Sequence, residues 1–483
     1  MSLKFHLGLV CLWLLTMSWL AFPISVAVGT DPWLEWASIA WRYYQPGKGV
    51  NPTTGLHYGT LDWHYITDWD TGNYLIAILD ARALNLIQDT GEWGTDYRLD
   101  KVLHYLETRK LRPSDGLPYA AYNSENGQPG TELSRQVTDV VDAGRLLVAL
   151  YIVKTRRPDL AGRVSGILDR CALNCTPPQT PTSLRSVYNT AFIQGQTHSG
   201  VYEYYATLGF NQFGFDVSSS LTSWNKLENG PQVNVYGQLL PRADVTTEPF
   251  LNGILEIPNL IDDGFKTYAY RVLEAQEGRW QATGYLTAWS EGAIDVTPYY
   301  QYEWIVHTLG EQSPKVWKIV GPSQSDIDSG KTPIVYTKVA FAFHALYSTA
   351  YTRALITKLL AVTQTEYGFR EGIRENTGEV IGTPTWPIQD KTNSFIIAAA
   401  RYASITVPEF HYPQALILIT FLVVAILVHR TSTVVKLARS RSLPEKKGPR
   451  RSLLSVSGPS GLPPTSATKT SPSSSHRSFY FDS

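Results

Sequence analysis

The sequence predicts an all-α fold with small β additions, and two observations carry this prediction. Two phrases, WDTGNYLIAIL and VDAGRLLVAL, share a pattern in which Asp70 and Gly72 recur as Asp142 and Gly144. An aspartate at a helix start caps free backbone N–H groups and suits the positive end of the helix dipole. The repeat therefore marks two equivalent helices, and repeated helix pairs that each bury one face form a stacked or closed array. The second observation is that apolar residues recur at helical spacing along most of the chain, whereas strand signals are sparse.

The individual helices are predicted from this spacing and from capping signals such as Asp31-Pro32, where proline occupies the first turn. In chain order they span residues 33–44, 71–87, 97–108, 139–154, 161–171, 202–208, 265–278, 337–348 and 393–402. The clearest strand signals lie at 233–240 and 332–336. Polar loops rich in Gly and Pro connect these elements, and the folded domain is predicted to span residues 31–405.

Both ends of the chain are predicted to lie outside this domain. Residues 1–28 combine a basic start, an apolar stretch and a small-x-small cleavage site, which is typical of a signal peptide or an N-terminal anchor. Residues 412–430 predict a transmembrane helix, because 412–428 carry no charge and basic residues follow. The alternative for this segment is a buried core helix. The basic flank predicts a cytoplasmic tail at 431–483 and an extracytoplasmic globular domain.

The formal net charge of zero is divided unevenly along the chain. Of 483 residues, 42 are Lys or Arg and 42 are Asp or Glu, but residues 431–483 contain nine basic and two acidic side chains. A basic tail attracts anionic lipid, whereas the acidic remainder does not favour nucleic acid as a partner. The Ser- and Pro-rich tail has too few apolar residues to build a core, so we predict that it is disordered.

Cysteine usage and the absence of known motifs exclude several classes of chemistry. Cys171 and Cys175 are spaced for a local disulfide in an oxidising compartment, but two reduced thiols fit the spacing equally well. No second Cys or His cluster accompanies them, so no metal site is predicted. The sequence has no phosphate loop, HExxH, GxSxG or dinucleotide fingerprint, and we therefore predict no cofactor.

A series of phrases in one order resembles a known family. These phrases include WDTGNYLIAILDARALNLI, LPYAAYN, VVDAGRLLVAL, YEYYATLGFNQFGFD, TEPFLNGILE, GYLTAWSEGAID and TNSFIIAAARY. They resemble a bacterial family of membrane-linked domains of unknown function. That family is distantly similar to the glycoamylase-like domain of cyclic β-1,2-glucan synthases and to endo-β-1,2-glucanases. The resemblance implies a glucoamylase-like (α/α)6 toroid and a glucan-type ligand, while it leaves the activity open.

Two residues carry over from the glucan-acting relatives. Asp142 matches the aspartate of an Asp-x-Gly phrase that opens a toroid helix, and Glu203 in YEYY matches the glutamate of a Glu-Tyr phrase. The dipeptide Trp69-Asp70 departs from those relatives, which tend to have Thr-Asn at this point. Any role for Asp70 therefore depends on its position at a helix start.

Asp139, Asp142 and Glu203 are the predicted catalytic residues. Glycosidic bond hydrolysis needs one carboxylic acid to protonate the leaving oxygen and one carboxylate to activate water or attack the sugar. Asp139 and Asp142 are three residues apart, so they face the same side of a helix turn, where each raises the pKa of the other. The alternative is structural: Asp139 caps the helix and Asp142 holds a neighbouring loop.

Seven further residues are predicted to bind substrate. Tryptophans offer flat apolar faces to pyranose rings, and polar loop residues can orient sugar hydroxyl groups. Each of these residues also has a purely structural alternative: burial for the aromatic residues, helix capping for Asp70 and ion pairing with arginine for the glutamates. The predicted set is Trp69, Asp70, Tyr122, Glu248, Trp289, Glu291 and Trp386.

The sequence thus predicts a membrane-anchored, extracytoplasmic protein that binds a glucan-type or envelope polysaccharide and hydrolyses it with general acid and base carboxylates. A cleft with acids also serves binding, so the main alternative is a non-catalytic polysaccharide-binding or export-scaffold protein. A third possibility is a signalling anchor whose basic tail meets an unidentified cytoplasmic partner.

Overall fold

The protein is built from helices that alternate along the chain between two layers. The computed structural model describes residues 32–130, 136–194, 200–321, 332–383 and 386–406. In chain order its α-helices are α1 (Pro32–Trp41), α2 (Asp68–Ala83), α3 (Thr95–Thr108), α4 (Val140–Arg156), α5 (Ala161–Asp169), α6 (Leu184–Tyr188), α7 (Val201–Asn211), α8 (Ser218–Glu228), α9 (Glu248–Glu256), α10 (Asp263–Thr283), α11 (Thr337–Tyr347), α12 (Ala350–Thr363) and α13 (Asp390–Thr406).

Six of these helices form a closed inner ring. Helices α2, α4, α7, α9, α11 and α13 each pack against the next, and α13 packs against α2 to close the ring. Helices α3, α5, α8, α10, α12 and α1 lie outside, each against one inner helix. The inner helices bury nearly every side chain, as a helix enclosed on all sides must. This alternation agrees with the toroid that the sequence predicts.

The repeated Asp and Gly of the sequence have separate structural roles at two inner helices. Asp70 forms a capping box with Thr67, in which the Asp70 carboxylate accepts from the Thr67 N–H at 2.9 Å. Asp139, not Asp142, caps α4, and its Oδ1 accepts from the Asp142 N–H at 2.7 Å. The glycines allow close packing: a Cβ on Gly144 would lie 2.4 Å from the Cβ of Ala206. The repeat thus encodes a helix start followed by a close contact between inner helices.

The inner helices run parallel, so their C-terminal ends meet at one end of the ring, which we call the base. There Arg401, near the end of α13, forms an ion pair of 2.6 Å with Asp80 of α2 and donates to the carbonyl of Leu255 in α9. At the other end, the hydroxyl of Tyr44, which follows α1, donates to the Asp390 carbonyl at 2.8 Å. Helix α1 is therefore antiparallel to α13.

The protein also has short strands, which pair in antiparallel fashion. They are β1 (Tyr65–Ile66), β2 (Tyr122–Asn123), β3 (Cys171–Leu173), β4 (Thr182–Ser183), β5 (Gln232–Val235), β6 (Gln238–Pro241), β7 (Glu291–Ala293), β8 (Tyr300–His307), β9 (Lys315–Val320), β10 (Ile334–Tyr336), β11 (Gln364–Thr365), β12 (Gly368–Phe369) and β13 (Gly372–Arg374). Strands β7, β8 and β9 form the one three-stranded sheet in the part of the chain that the structure describes, with Glu291 opposite Tyr302.

The structure corrects some of the predicted helices and strands, and other predicted segments lie outside the described residues. The predicted strands correspond to the β5–β6 hairpin and β10, but β8 and β9 were not predicted, nor were α8, α9 and α12. Cys171 and Cys175 form a disulfide, which decides between the two alternatives for these thiols. The described helices include none that combines the length and apolarity needed to cross a membrane. The predicted signal segment at 1–28, transmembrane helix at 412–430 and tail at 431–483 lie outside the described residues.

Candidate active site

Each inner helix contributes at least one charged residue to its first turn or its start. These residues include, one from each helix, Asp70, Asp142, Glu203, Glu248, Lys338 and Lys391. We call the end of the ring where they lie the mouth. Their charges act on one another: the pKa of Asp142 responds to Asp70 and Lys391, and the pKa of Lys391 responds to Glu248 and Asp70. Helix N-termini that are distant in sequence therefore converge on one site.

Lys391 is the centre of a buried ion network in the mouth. Its Nζ lies 2.6 Å from Oε1 of Glu291, 3.1 Å from Oε1 of Glu248 and 2.9 Å from the hydroxyl of Tyr300. Lys338 also binds Glu248 and donates to the Glu291 carbonyl at 2.6 Å. Burial alone would lower the pKa of Lys391, but Glu248 and Glu291 hold it well above its ordinary value.

The same network keeps Glu291 ionised. Burial favours the neutral acid, but Lys391, Lys338 and the hydroxyl of Tyr300 lower the pKa of Glu291 below its ordinary value. Glu291 therefore supplies a fixed negative charge to the mouth and is not a proton donor at neutral pH.

Asp139, Asp142 and Glu203 line the more open part of the mouth. Asp139 is exposed, whereas Asp142 and Glu203 are half-buried. Burial raises the pKa of all three carboxyl groups. The charge of Asp139 raises the pKa of both Asp142 and Glu203, which indicates that Asp139 lies near both of them.

The three carboxylates differ in their hydrogen bonds. Asp139 accepts from the backbone N–H groups of Asp142 and Val141, which favours its ionised form. Glu203 is likewise stabilised by backbone N–H groups, its own and that of Gly200. For Asp142 the leading influences are burial and the negative charges of Asp139, Asp70 and Asp68, and the pKa of Asp142 is held well above its ordinary value.

Three further carboxyl groups around the ion network, one of them Asp70 of the mouth, are buried. Burial raises the pKa of Asp70 to about 6 and the pKa values of Asp390 and Glu371 to about 7. His57, whose Nε2 lies 3.6 Å from Asp390, has its pKa lowered to about 4 by burial and is therefore neutral. Burial outweighs the charges of Lys338 and Lys391 at Asp390 and Glu371, which explains why these carboxyl groups hold protons near neutral pH.

Arg145 ties the inner helices together one turn below Asp142. Its guanidinium donates to both carboxylate oxygens of Glu256 on α9, to Asn73 on α2 and to the hydroxyl of Tyr205 on α7. The same group lies 5.7 Å from the ring centroid of Trp69. The mouth therefore has a rigid polar floor.

Aromatic rings on β8 form one wall beside the carboxylates. Tyr300, Tyr302 and Trp304 alternate along the strand and are half-buried, whereas the residues between them, Gln301 and Glu303, are fully buried on the opposite face. Tyr302 stacks on Trp304 with ring centroids 5.8 Å apart. The pKa of Tyr302 responds to the charges of Glu291, Lys391, Asp139 and Asp142, so its hydroxyl lies near these groups of the mouth.

Comparison with known proteins identifies the family. A family model described as a protein of unknown function, DUF3131, matches residues 35–406. The chain belongs to the DUF3131 family. No curated protein matches the sequence.

Solved structures with a similar fold include glucan-acting enzymes. A candidate glucoamylase from Bacteroides caccae ATCC 43185 shares 13% identity at a TM-score of 0.53, over 77% of this chain and 93% of its own. An endo-β-1,2-glucanase from Chitinophaga pinensis, solved with sophorotriose and glucose, shares 13% sequence identity at a TM-score of 0.50. The match covers 77% of this chain and 93% of that one. An endo-β-1,2-glucanase from Talaromyces funiculosus, solved as a mutant with β-1,2-glucan, shares 14% sequence identity at a TM-score of 0.52. The match covers 78% of this chain and 86% of that one. These matches confirm the predicted resemblance at the level of the fold.

The DUF3131 domain brings most of the predicted binding residues to the mouth. Asp70, Glu248 and Glu291 belong to its ion network, and Trp69 lies with its ring 5.2 Å from Nζ of Lys391. All four side chains are buried, so they support the residues that line the surface of the mouth.

Three predicted binding residues lie elsewhere. Tyr122 is 1% exposed and donates to the Lys110 carbonyl. Trp289 is also 1% exposed and packs between Arg279 and Trp317. Burial gives both a packing role and corrects the expectation that they present a face to a sugar. Trp386 is half-buried and lies beside Tyr299, the residue that precedes Tyr300 of the ion network.

Sequence reasoning missed the two buried lysines and the aromatic strand. Lys338 and Lys391 pair with residues 90 and 100 positions away, so no local spacing reveals them. The aromatic strand did leave a signal, because tyrosine and tryptophan alternate with other residues in YQYEWIVH.

Proposed function

We propose that this DUF3131 domain is a glycoside hydrolase, in which Asp142 is the general acid and Glu203 the general base. The observation that carries the proposal is the convergence of Asp139, Asp142 and Glu203 at the mouth, each with a raised pKa. Carboxyl groups tuned towards neutral pH are the groups that glycosidic bond hydrolysis requires.

Asp142 suits the acid role because its surroundings disfavour its charge. Burial and the neighbouring charges of Asp139, Asp70 and Asp68 all raise the pKa of Asp142. Two close carboxylates cannot both ionise at low cost, and Asp139 already accepts two backbone hydrogen bonds. The shared proton therefore resides on Asp142, from which it can pass to a leaving glycosidic oxygen.

Glu203 suits the base role because backbone N–H groups stabilise its ionised form while burial keeps its pKa raised. A base with a raised pKa accepts a proton from water more readily than an ordinary carboxylate. It comes from a different inner helix than Asp142, so the acid and the base are carried by two separate elements of the ring.

The substrate class rests on the family resemblance and the fold. Two of the solved structures with this fold are endo-β-1,2-glucanases, so we propose β-1,2-glucan as the first substrate to test, and exported or envelope polysaccharides as the wider class. Aromatic rings on β8 would stack against sugar rings, and the charged groups of the mouth would bind hydroxyl groups.

We further propose that the domain works outside the cytoplasm, held by a transmembrane helix at 412–430 after a signal segment at 1–28. The Cys171–Cys175 disulfide supports this placement, because disulfides persist mainly in oxidising compartments.

The test compares two carboxamide variants of the full-length protein. Asp142→Asn and Glu203→Gln should each lower the turnover of β-1,2-glucan by about two orders of magnitude or more. An aryl glycoside with a good leaving group should restore turnover to Asp142→Asn, since it needs no acid, and azide should restore turnover to Glu203→Gln. The control is Asp263→Asn, because the Asp263 side chain is exposed and lies outside the mouth. Full activity in both variants would overturn the assignment.

A second candidate function is glycan binding without hydrolysis. It is favoured by the ion pairs that fix Glu248 and Glu291, since carboxylates held in this way serve recognition as well as chemistry. A wild-type protein that binds glucans but releases no reducing ends would establish this alternative.

A further inference from the structure

Two aromatic side chains form a corner beside the start of β8. The rings of Tyr299 and Trp386 have centroids 6.5 Å apart and planes inclined by 64°. Tyr299 is 55% exposed and Trp386 is half-buried. Large aromatic faces that remain exposed at the edge of a cleft are typical of ligand contacts.

A half-buried carboxylate holds the corner in place. Asp295 accepts a hydrogen bond of 2.7 Å from Arg374 and another of 2.8 Å from the backbone N–H of Gly382. Asp295 lies in the loop that leads to Tyr299, and Gly382 lies in the loop that leads to Trp386. One carboxylate therefore fixes the two loops relative to each other.

The backbone of Tyr299 is strained. Its φ is +66°, a left-handed conformation that is unfavourable for a bulky side chain. Glycine would satisfy this turn without strain, whereas the tyrosine ring gains little burial in return, since more than half of it is exposed. Strain that the fold does not require concentrates at ligand-binding positions.

The corner is joined to the ion network of the mouth along the chain. The next residue, Tyr300, donates to Glu291 at 2.8 Å and receives a hydrogen bond from Lys391. A polymer that extends from the mouth towards the start of β8 would therefore pass over Tyr299 and Trp386.

We infer that Tyr299 and Trp386 form an outer subsite, which binds a pyranose ring of a polysaccharide whose cleaved bond lies in the mouth. The inference rests on the proposed function and adds to it a preference for long chains. A disaccharide that fills the mouth does not reach the corner, whereas a long chain stacks one further ring there.

The test measures binding in the full-length Asp142→Asn background, with a β-1,2-linked disaccharide and a long β-1,2-glucan as probes. Tyr299→Gly and Trp386→Ala should each weaken binding of the long glucan about tenfold and leave the disaccharide unchanged. Tyr299→Gly should also keep or raise the melting temperature, because glycine relieves the strained φ. This separates loss of a ligand contact from loss of structure.

Tyr236 offers a matched control. It is also an exposed tyrosine with positive φ, at +49°, but it lies in the β5–β6 hairpin. Tyr236→Gly should relieve similar strain without changing either affinity.

The outcomes separate the two proposals. Unchanged affinity of Tyr299→Gly and Trp386→Ala for the long glucan, in a protein that cleaves it, would overturn the outer subsite and leave the hydrolase intact. An equal loss for both probes would also overturn it. A protein that neither binds nor cleaves β-1,2-glucan would contradict the subsite and the proposed substrate together.

Discussion

The ammonium group of Lys391 donates a hydrogen bond of 2.6 Å to Oε1 of Glu291. This contact joins the start of the last inner helix to the start of β7, in a place that water hardly reaches. Because Lys391 also contacts Glu248 and Tyr300, one positive charge holds three elements of the mouth in position.

Lys391→Met should therefore destabilise the protein strongly. Removing one partner of a buried ion pair leaves an uncompensated charge, and such changes cost about 3–5 kcal/mol. Urea unfolding would measure the loss. Lys315→Met is the control, because Lys315 is largely exposed and its replacement should change the free energy of unfolding by less than about 0.5 kcal/mol. Similar small effects for both would contradict the central role of Lys391.

Asp139→Asn should move the alkaline limb of the pH–rate profile to lower pH. Asp142 acts in its protonated form, so activity falls as the pH rises through its pKa. Asp139 raises that pKa through its negative charge, and asparagine removes the charge while it keeps a good N-cap. Turnover measured against pH for wild type and variant checks this. A limb that does not move would indicate that another group donates the proton.

Glu371→Gln should flatten the dependence of stability on pH. Burial raises the pKa of Glu371 from 4.5 to about 7 in the folded state. The folded protein then binds a proton that the unfolded chain has released, so the contribution of Glu371 to stability is lost as the pH rises from about 4.5 to about 7. Melting temperatures across this window should fall less in the variant. A steeper fall in the variant would refute the assignment.

Glu256→Ala should cost about 3–5 kcal/mol, because it leaves the Arg145 guanidinium buried without its carboxylate partner. Asp89→Ala is the matched control. It also removes a carboxylate from an arginine, Arg82, but that pair is exposed, so its loss should cost far less than the loss of Glu256. Both values come from urea unfolding. Equal losses would show that Arg145 does not depend on Glu256.

The proposed orientation of the chain in the membrane gives a separate prediction. A protease added outside intact cells should digest the domain and spare a tag fused after Ser483, and alkylation without reductant should find Cys171 and Cys175 joined. Digestion of the tag would show that the proposed orientation is wrong.

The sequence predicted most of what depends on neighbouring residues. The start of α4 follows from short-range capping by Asp139, and the structure has this cap. Helix α2 begins at Asp68, three residues before the predicted start, because Thr67 is its N-cap and Asp70 completes the capping box. Helical spacing predicted most inner helices. It missed α9, because nine residues beginning Glu248-Pro249 give too short a pattern for a periodicity to emerge.

What the sequence could not predict depends on contacts between distant residues. Asp142 was proposed as a site residue from its position, but its raised pKa depends on Asp68 and Asp70, which belong to another helix. Trp289 has the composition of a sugar-binding residue, and only the packing of Arg279 and Trp317 around it reveals burial. Capping depends on residues that are close in sequence, whereas burial depends on how the whole ring of helices packs.

The antiparallel arrangement of α1 and α13 has a practical consequence for tethering. Because α13 begins at the mouth and ends at the base, while α1 runs in the opposite direction, Pro32 and Thr406 both lie at the base. Immobilising the domain on a bead or a sensor chip through either of these points leaves the mouth pointing into solution. Insoluble or surface-bound glycans, which cannot diffuse into a blocked opening, are therefore accessible to a domain presented in this way.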